Sequence, residues 1–226
     1  MYNMKGIVFD LDGVITDTAR FHFEAWKKLT KEKFGKDLPA SFESEVKGIS
    51  RIESLERIMD FYGIRDRYTQ EEIEAMAAEK NEYYRREIAT LTKEDILPGI
   101  AYLLADLKDH RVKTALASAS HNAPFILERL GLTDMFDGAA DPSAIAHGKP
   151  APDIFLAAAK SIGLEPDDCV GVEDAVAGVA GIRAAHMPAV GIGDAKELHE
   201  ANRVVSSTKE LTMALLEDVW DKRRQA

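Results

Sequence analysis

The chain divides by the rhythm of its apolar positions. Residues 6–9 (GIVF) form a short apolar run that stops at Asp10, with Gly13 close behind. That pattern predicts a buried strand followed by a tight turn. From Ala19 to about Leu91 the spacing becomes helical. Phe21, Ala25, Trp26 and Leu29 share one helical face, as do Ile52, Leu55, Ile58 and Met59, and then Ile73, Met76, Ala77 and Tyr84. No strand pattern interrupts this charge-rich stretch, as expected of a small helical bundle. After Pro98-Gly99 helices and strands alternate. Helices are predicted near 100–109, 123–130, from Pro152 onward, near 175–185 and at 208–222. Strands are predicted at 112–118, 136–140, 169–173, 188–192 and, more weakly, 203–206.

Strands alternating with helices predict an α/β fold, a doubly wound parallel Rossmann-like sheet. The helical block lies between the first strand and the others, so it reads as an inserted cap. The expected division is a core of residues 1–16 and 93–226 with a helical cap of residues 17–92. A length of 226 residues suits a core plus one smaller insertion, and there is no internal repeat. Hydrophobic residues make up 46% and charged residues 30%, which is ordinary for a globular chain and excludes disorder. The net charge of −10 argues against a nucleic-acid partner and against a polybasic membrane anchor. No apolar run approaches the ~18 residues of a membrane span. The opening MYNMKGIVFDLDG carries no signal-peptide pattern. The single cysteine, Cys169, cannot form an intrachain disulfide, which suits a cytoplasmic location.

In a doubly wound sheet, ligands bind beyond the carboxyl ends of the strands. Polar residues cluster there. Asp10 and Asp12, two apart on an extended segment, point to the same side. Glu173 and Asp174 form a second acidic pair. Either pair alone reads more simply as a solvated turn or a helix cap. Together they offer the hard oxygen donors that Mg²⁺ takes, in a number that leaves room for phosphate oxygens. Lys149 in GKPAPD would offset their charge, although a lone lysine is usually a surface residue. Ser118 in ASASHN is either a helix cap or part of an anion cradle. In the helical block, Thr18, His22 and Trp26 follow one another at one-turn spacing. Lys47, Arg51 and Lys80 add cations that normally lie in solvent.

The four strings DLDGVITDT (10–18), Ser118, Lys149 and Glu173-Asp174 occur in an order that resembles the haloacid dehalogenase superfamily of phosphotransferases, helical cap included. DLDGVITDTARFHFEAW, VKGISR, LASASHN, GKPAPDIF and VEDAVAG are similar to its branch of phosphomutases acting on β-D-glucose 1-phosphate. His121 and Gly148 depart from that branch, standing where lysine and serine are expected. The resemblance implies an aspartyl-phosphate enzyme that makes D-glucose 6-phosphate through β-D-glucose 1,6-bisphosphate. Asp10 would be the nucleophile and Asp12 the general acid and base. Mg²⁺ would sit on Asp10, the carbonyl of Asp12, Glu173 and Asp174, with Ser118 and Lys149 holding the transferring oxygens. Thr18 and His22 would link the cap to Asp12. Trp26, Gly48, Ile49, Arg51 and Lys80 would contact substrate from the cap, and Ala119, Ser120, His121 and Asn122 from the core. The implied partners are small sugar phosphates, with the protein a monomer. A sugar-phosphate phosphatase of the same superfamily is the alternative. A non-catalytic phosphate-binding module is a third reading, disfavoured because Asp10, Asp12, Lys149 and Asp174 are all present.

Overall fold

The computed structural model describes residues 4–46 and 49–223. The chain divides into two compact units, Met1–Asp17 with Thr92–Ala226, and Thr18–Leu91.

The first unit is built on a six-stranded sheet. Its strands are β1 (Gly6–Phe9), β2 (Lys113–Leu116), β3 (Gly138–Ala139), β4 (Cys169–Glu173), β5 (Ala189–Ile192) and β6 (Arg203–Val205). The order is β3-β2-β1-β4-β5-β6, and every pairing is parallel. The sheet is therefore the doubly wound α/β sheet that the strand–helix alternation predicts. The chain leaves β1 in both directions, which makes the carboxyl end of β1 a topological switch point. The central strands β1, β4 and β5 are buried at every position, as strands covered on both faces must be.

Five helices flank the sheet: α5 (Ile100–Asp109), α6 (Ala123–Leu130), α7 (Asp153–Ser161), α8 (Val176–Ala184) and α9 (Met213–Lys222). Their numbers follow the four helices of the second unit. One continuous core joins Val8, Ala115 and Cys169 of the sheet to Ile154, Phe155, Ala158, Val179 and Ile182 of α7 and α8. Two boundaries differ from the sequence pattern. The stretch predicted as one helix over 208–222 is a 3-10 turn at Thr208–Glu210 and then α9. The Thr212 hydroxyl accepts the Leu215 N–H and so starts a new helix, while Thr208 Oγ1 donates to the Pro98 carbonyl. Pro152 sits one position outside α7, as its N-cap.

The second unit is all helical: α1 (Ala19–Phe34), α2 (Glu43–Val46), α3 (Arg51–Tyr62) and α4 (Gln70–Ile88). Gly35 and Gly63, both left-handed, terminate α1 and α3. A capping box of Thr69 and Glu72 starts α4. Its core gathers Phe23, Trp26, Leu29, Leu55, Ile58, Met59, Ile73, Met76 and Ala77. Phe23, rather than Phe21, fills the α1 position in this core. Phe21 is half-buried, with the Arg20 guanidinium 4.5 Å from its ring centroid.

Cys169 is fully buried at the start of β4. Burial, aided by Asp168 and opposed by Lys5, pushes its thiol up to about 12. The native protein is therefore expected to be inert to a thiol reagent such as Ellman's at neutral pH, and to give one equivalent only on unfolding. Stoichiometric labelling of the folded protein would contradict this burial.

Candidate active site

Asp10 follows β1 directly, its N–H donating to the Val172 carbonyl at 3.0 Å. The register pairs Phe9 with Leu116 on one side and with Val172 on the other. Asp10 thus lies level with Glu173, the last residue of β4, on the adjacent strand. Carboxylates held side by side on neighbouring strands repel unless a cation stands between them. Lys149 is that cation. Its ammonium donates to Asp10 Oδ1 at 2.6 Å and to Glu173 Oε2 at 2.7 Å. All three side chains are nearly buried, at 10%, 11% and 2% exposure for Lys149, Asp10 and Glu173. The Phe155 ring of α7 lies against the lysine, 5.1 Å from centroid to Nζ.

Burial works against the ammonium, but Asp10 and Glu173 outweigh it and hold Lys149 above its ordinary value. Burial and the Asp10 charge push the Glu173 carboxyl upward as well, with Lys149 opposing. Glu173 Oε1 also accepts the N–H groups of Asp174 and Ala175, at 3.1 and 3.2 Å. The glutamate thereby fixes the turn that presents Asp174.

Asp10, Glu173 and Asp174 each offer an oxygen within 4.8 Å of the others. The set consists of hard anionic oxygens with one compensating lysine, and it suits a divalent cation such as Mg²⁺. Gly13 makes room for it. At φ +76° it adopts a backbone that side chains rarely take, and a Cβ there would lie 2.0 Å from Asp174 Oδ2. Asp12 is half-buried on the same turn, bridged to Thr16 through the backbone, and its carboxylate lies outside that acidic group.

Ser118, buried beyond β2, accepts the Ser120 N–H at 3.2 Å, and Ser120 Oγ accepts the Asn122 N–H at 3.2 Å. These bonds curl the segment into the N-terminus of α6. Asn122 is buried, Ser120 half-buried, and Ala119 and His121 are exposed.

The helical unit has its own polar cluster. Lys80, which the sequence pattern alone would place in solvent, is 2% exposed. Its ammonium donates to His22 Nδ1 at 2.7 Å and lies 4.5 Å from the Trp26 ring and 5.3 Å from the Tyr84 ring. His22 stacks on Tyr84 at 3.7 Å, and the hydroxyls of Tyr84 and Thr18 share a 2.8 Å hydrogen bond. Thr18, His22, Trp26 and Lys80 are thus brought together, as their spacing suggests. Tyr84 joins them, although the sequence reading counts it only as core. Its signal was the one-turn spacing from Lys80 combined with a hydroxyl at a buried position. Ile49 and Arg51 are half-buried at the start of α3, and burial lowers the Arg51 guanidinium. Lys47 and Gly48 lie outside the described residues.

Two expectations follow. Lys149→Ala leaves buried carboxylates without their counter-ion, and should destabilise the metal-free protein by ~3 kcal/mol. Denaturant unfolding measures this, and a loss near zero would mean that the pair is not buried as described. The second concerns pH. Burial, then Lys80 and Arg51, hold His22 well below the ordinary imidazole value of ~6.5, so the folded protein keeps it neutral. As pH falls below 6.5 the unfolded chain takes up a proton that the folded chain refuses. Stability should therefore decline, by at most ~1.4 kcal/mol per pH unit from this residue. His22→Gln should flatten the fall between pH 6.5 and 5, and unfolding midpoints across that range test it.

The family described as haloacid dehalogenase-like hydrolase matches residues 4–186. The chain is 46% identical over 224 residues to a β-phosphoglucomutase of Bacillus subtilis (strain 168), covering 98% of this chain and 97% of that protein. It is 29% identical over 223 residues to a phosphorylated carbohydrates phosphatase of Thermotoga maritima, covering 96% of this chain and all of the other. A crystal structure of β-phosphoglucomutase from Clostridium difficile matches with a TM-score of 0.94 at 43% identity, over 99% of this chain and 100% of that one. The chain belongs to the haloacid dehalogenase-like hydrolase family and is a close homologue of its β-phosphoglucomutases.

Proposed function

We propose that this protein is a β-phosphoglucomutase, interconverting β-D-glucose 1-phosphate and D-glucose 6-phosphate through β-D-glucose 1,6-bisphosphate. The observation that carries the reading is the 46% identity to the Bacillus subtilis enzyme along nearly the whole of both chains. A nucleophile–lysine–carboxylate centre at the switch point of the sheet supports it.

Asp10 is the nucleophile. Its carboxylate attacks phosphorus, the bond from phosphorus to the sugar oxygen breaks, and an aspartyl phosphate forms. Asp12 gives a proton to the departing sugar oxygen and takes one back when the other hydroxyl attacks. Lys149, 2.6 Å from Asp10, lies where it can offset charge on the transferring oxygens, and Ser118 with the backbone N–H groups that follow it receives the same group. Asp10, the Asp12 carbonyl, Asp174 and Glu173 would hold Mg²⁺, and the ion would supply charge neutralisation for the transferring phosphoryl group.

The helical unit supplies the second phosphate site in this proposal. Arg51 is its principal cation, joined by Gly48, Ile49 and Lys80. Trp26 contacts the sugar, and Thr18 with His22 sets the position of Asp12. Ala119, Ser120, His121 and Asn122 bind the sugar phosphate from the sheet unit. We place the protein in the cytoplasm as a monomer. The one cysteine, buried and unpaired, supports a reducing compartment. Among the described residues no helix is long and apolar enough to cross a membrane.

A coupled assay decides between mutase and phosphatase. With Mg²⁺ and catalytic β-D-glucose 1,6-bisphosphate, D-glucose 6-phosphate should form far faster than free phosphate. Asp10→Asn should abolish both products, because the amide is a poor nucleophile. Phosphate release without isomerisation would make the protein a sugar-phosphate phosphatase instead.

A further inference from the structure

Helix α8 begins at Val176, one residue after the Glu173-Asp174 pair with Ala175 as its N-cap, and its third residue is Gly178. Glycine there is unfavourable for the helix itself, by ~1 kcal/mol relative to alanine. The space around it accounts for the choice. A Cβ on Gly178 would lie 2.0 Å from both Cδ and Oε2 of Glu173 and 2.3 Å from its Cγ. The Glu173 side chain, at the end of β4, lies against the first turn of α8 and occupies the volume that any other residue at 178 would need.

Nor can the carboxylate step aside. It is 1% exposed. Oε2 is held by Lys149 at 2.7 Å, and Oε1 by the Asp174 and Ala175 N–H groups at 3.1 and 3.2 Å. Shifting it breaks the hydrogen bond that places Lys149 beside Asp10, or frees the turn that carries Asp174. The N-terminal end of α8 also favours a negative charge at this spot.

We infer that Gly178 is a positioning residue for the phosphoryl-transfer centre: it opens the notch in α8 that locks Glu173 onto Lys149. Its action is entirely through Glu173. This rests on the catalytic reading of Asp10 and Lys149 given above, so the decisive readout is one that does not depend on it.

Gly181, one turn along the same helix, supplies the control. A Cβ there meets the Phe155 ring at 2.8 Å and the Ala151 carbonyl oxygen at 3.1 Å, not Glu173. Thermal unfolding of the metal-free protein is compared for Gly178→Ala, Glu173→Asp, Gly181→Ala and the two double variants with Glu173→Asp. Aspartate is one methylene shorter and vacates the notch. The Gly178→Ala midpoint should fall, and adding Glu173→Asp should raise it again. Adding Glu173→Asp to Gly181→Ala should bring no recovery. In the mutase assay Gly178→Ala should lose ~100-fold in kcat, with KM little changed, as expected of a displaced catalytic group. If Gly178→Ala alone does not fold, the Glu173→Asp/Gly178→Ala protein must. Additive effects of the two substitutions, recovery of both glycine variants alike, no folded double variant, or coupled stability with native kcat would each overturn the inference. Coupled midpoints in a protein that lacks mutase activity would instead leave the notch standing and remove the proposed function.

Discussion

The ion pairs of Lys149 with Asp10 and Glu173 are the constraint around which the sheet unit is arranged. Parallel neighbours lie ~4.8 Å apart, so acids at the ends of β1 and β4 cannot avoid one another. A water-filled cleft could screen them, but here both are nearly buried. Their coexistence requires a buried cation, and the cation must come from a third element that reaches the same strand ends. The segment before α7 delivers it, and Phe155 of α7 gives it an apolar backing. Fold and chemistry meet at this point. The arrangement that lets the sheet keep two acids side by side also fixes a buried positive charge at the sheet's switch point.

The helical unit buries a lysine by different means. Lys80 rests on the faces of Trp26 and Tyr84, with a ring nitrogen of His22 accepting from it. Since an ammonium has no acceptor, His22 must leave Nδ1 unprotonated. Tyr84, stacked on His22, ties this pair to Thr18, the residue that precedes α1. Thr18 is the first residue of this unit. A polar chain from the interior of a helical bundle to its first residue specifies one arrangement of α1 against α4 more sharply than apolar packing alone.

Much of this was legible in the chain. Apolar runs of four or five residues that stop at Asp10 and Glu173 announce buried strands, because a parallel strand covered on both faces has no polar positions to spare. The D-x-D turn, Lys149 and Ser118 were legible because chemistry at strand ends demands particular residue types. The burial of Lys80 was not. Its partner His22 is 58 positions away, and no local spacing tells a solvated lysine from one lying on aromatic rings. Phe21 and Phe23 could not be ranked, since both are apolar and the choice depends on where α3 and α4 lie. The start of α9 was lost for a different reason. Thr208 and Thr212 both read as helix formers of middling quality, and only the hydroxyl bonds to Pro98 and Leu215 divide the stretch.

Helix α8 shows how local and global preferences are reconciled. Taken alone, VAGVAGIRA is a poor helix, with two glycines in nine residues. Each glycine costs ~1 kcal/mol of helix propensity, a noticeable share of a domain's net stability. An alanine at 178 would strike the Glu173 carboxylate, and one at 181 would strike Phe155 and the backbone at Ala151. Those neighbours are the two supports that touch Lys149, one through a hydrogen bond and one through a ring face. The helix gives up intrinsic stability at the positions that face the lysine's supports. That placement is what a fold looks like when a buried charge, rather than helix formation, decides which residues a helix can carry.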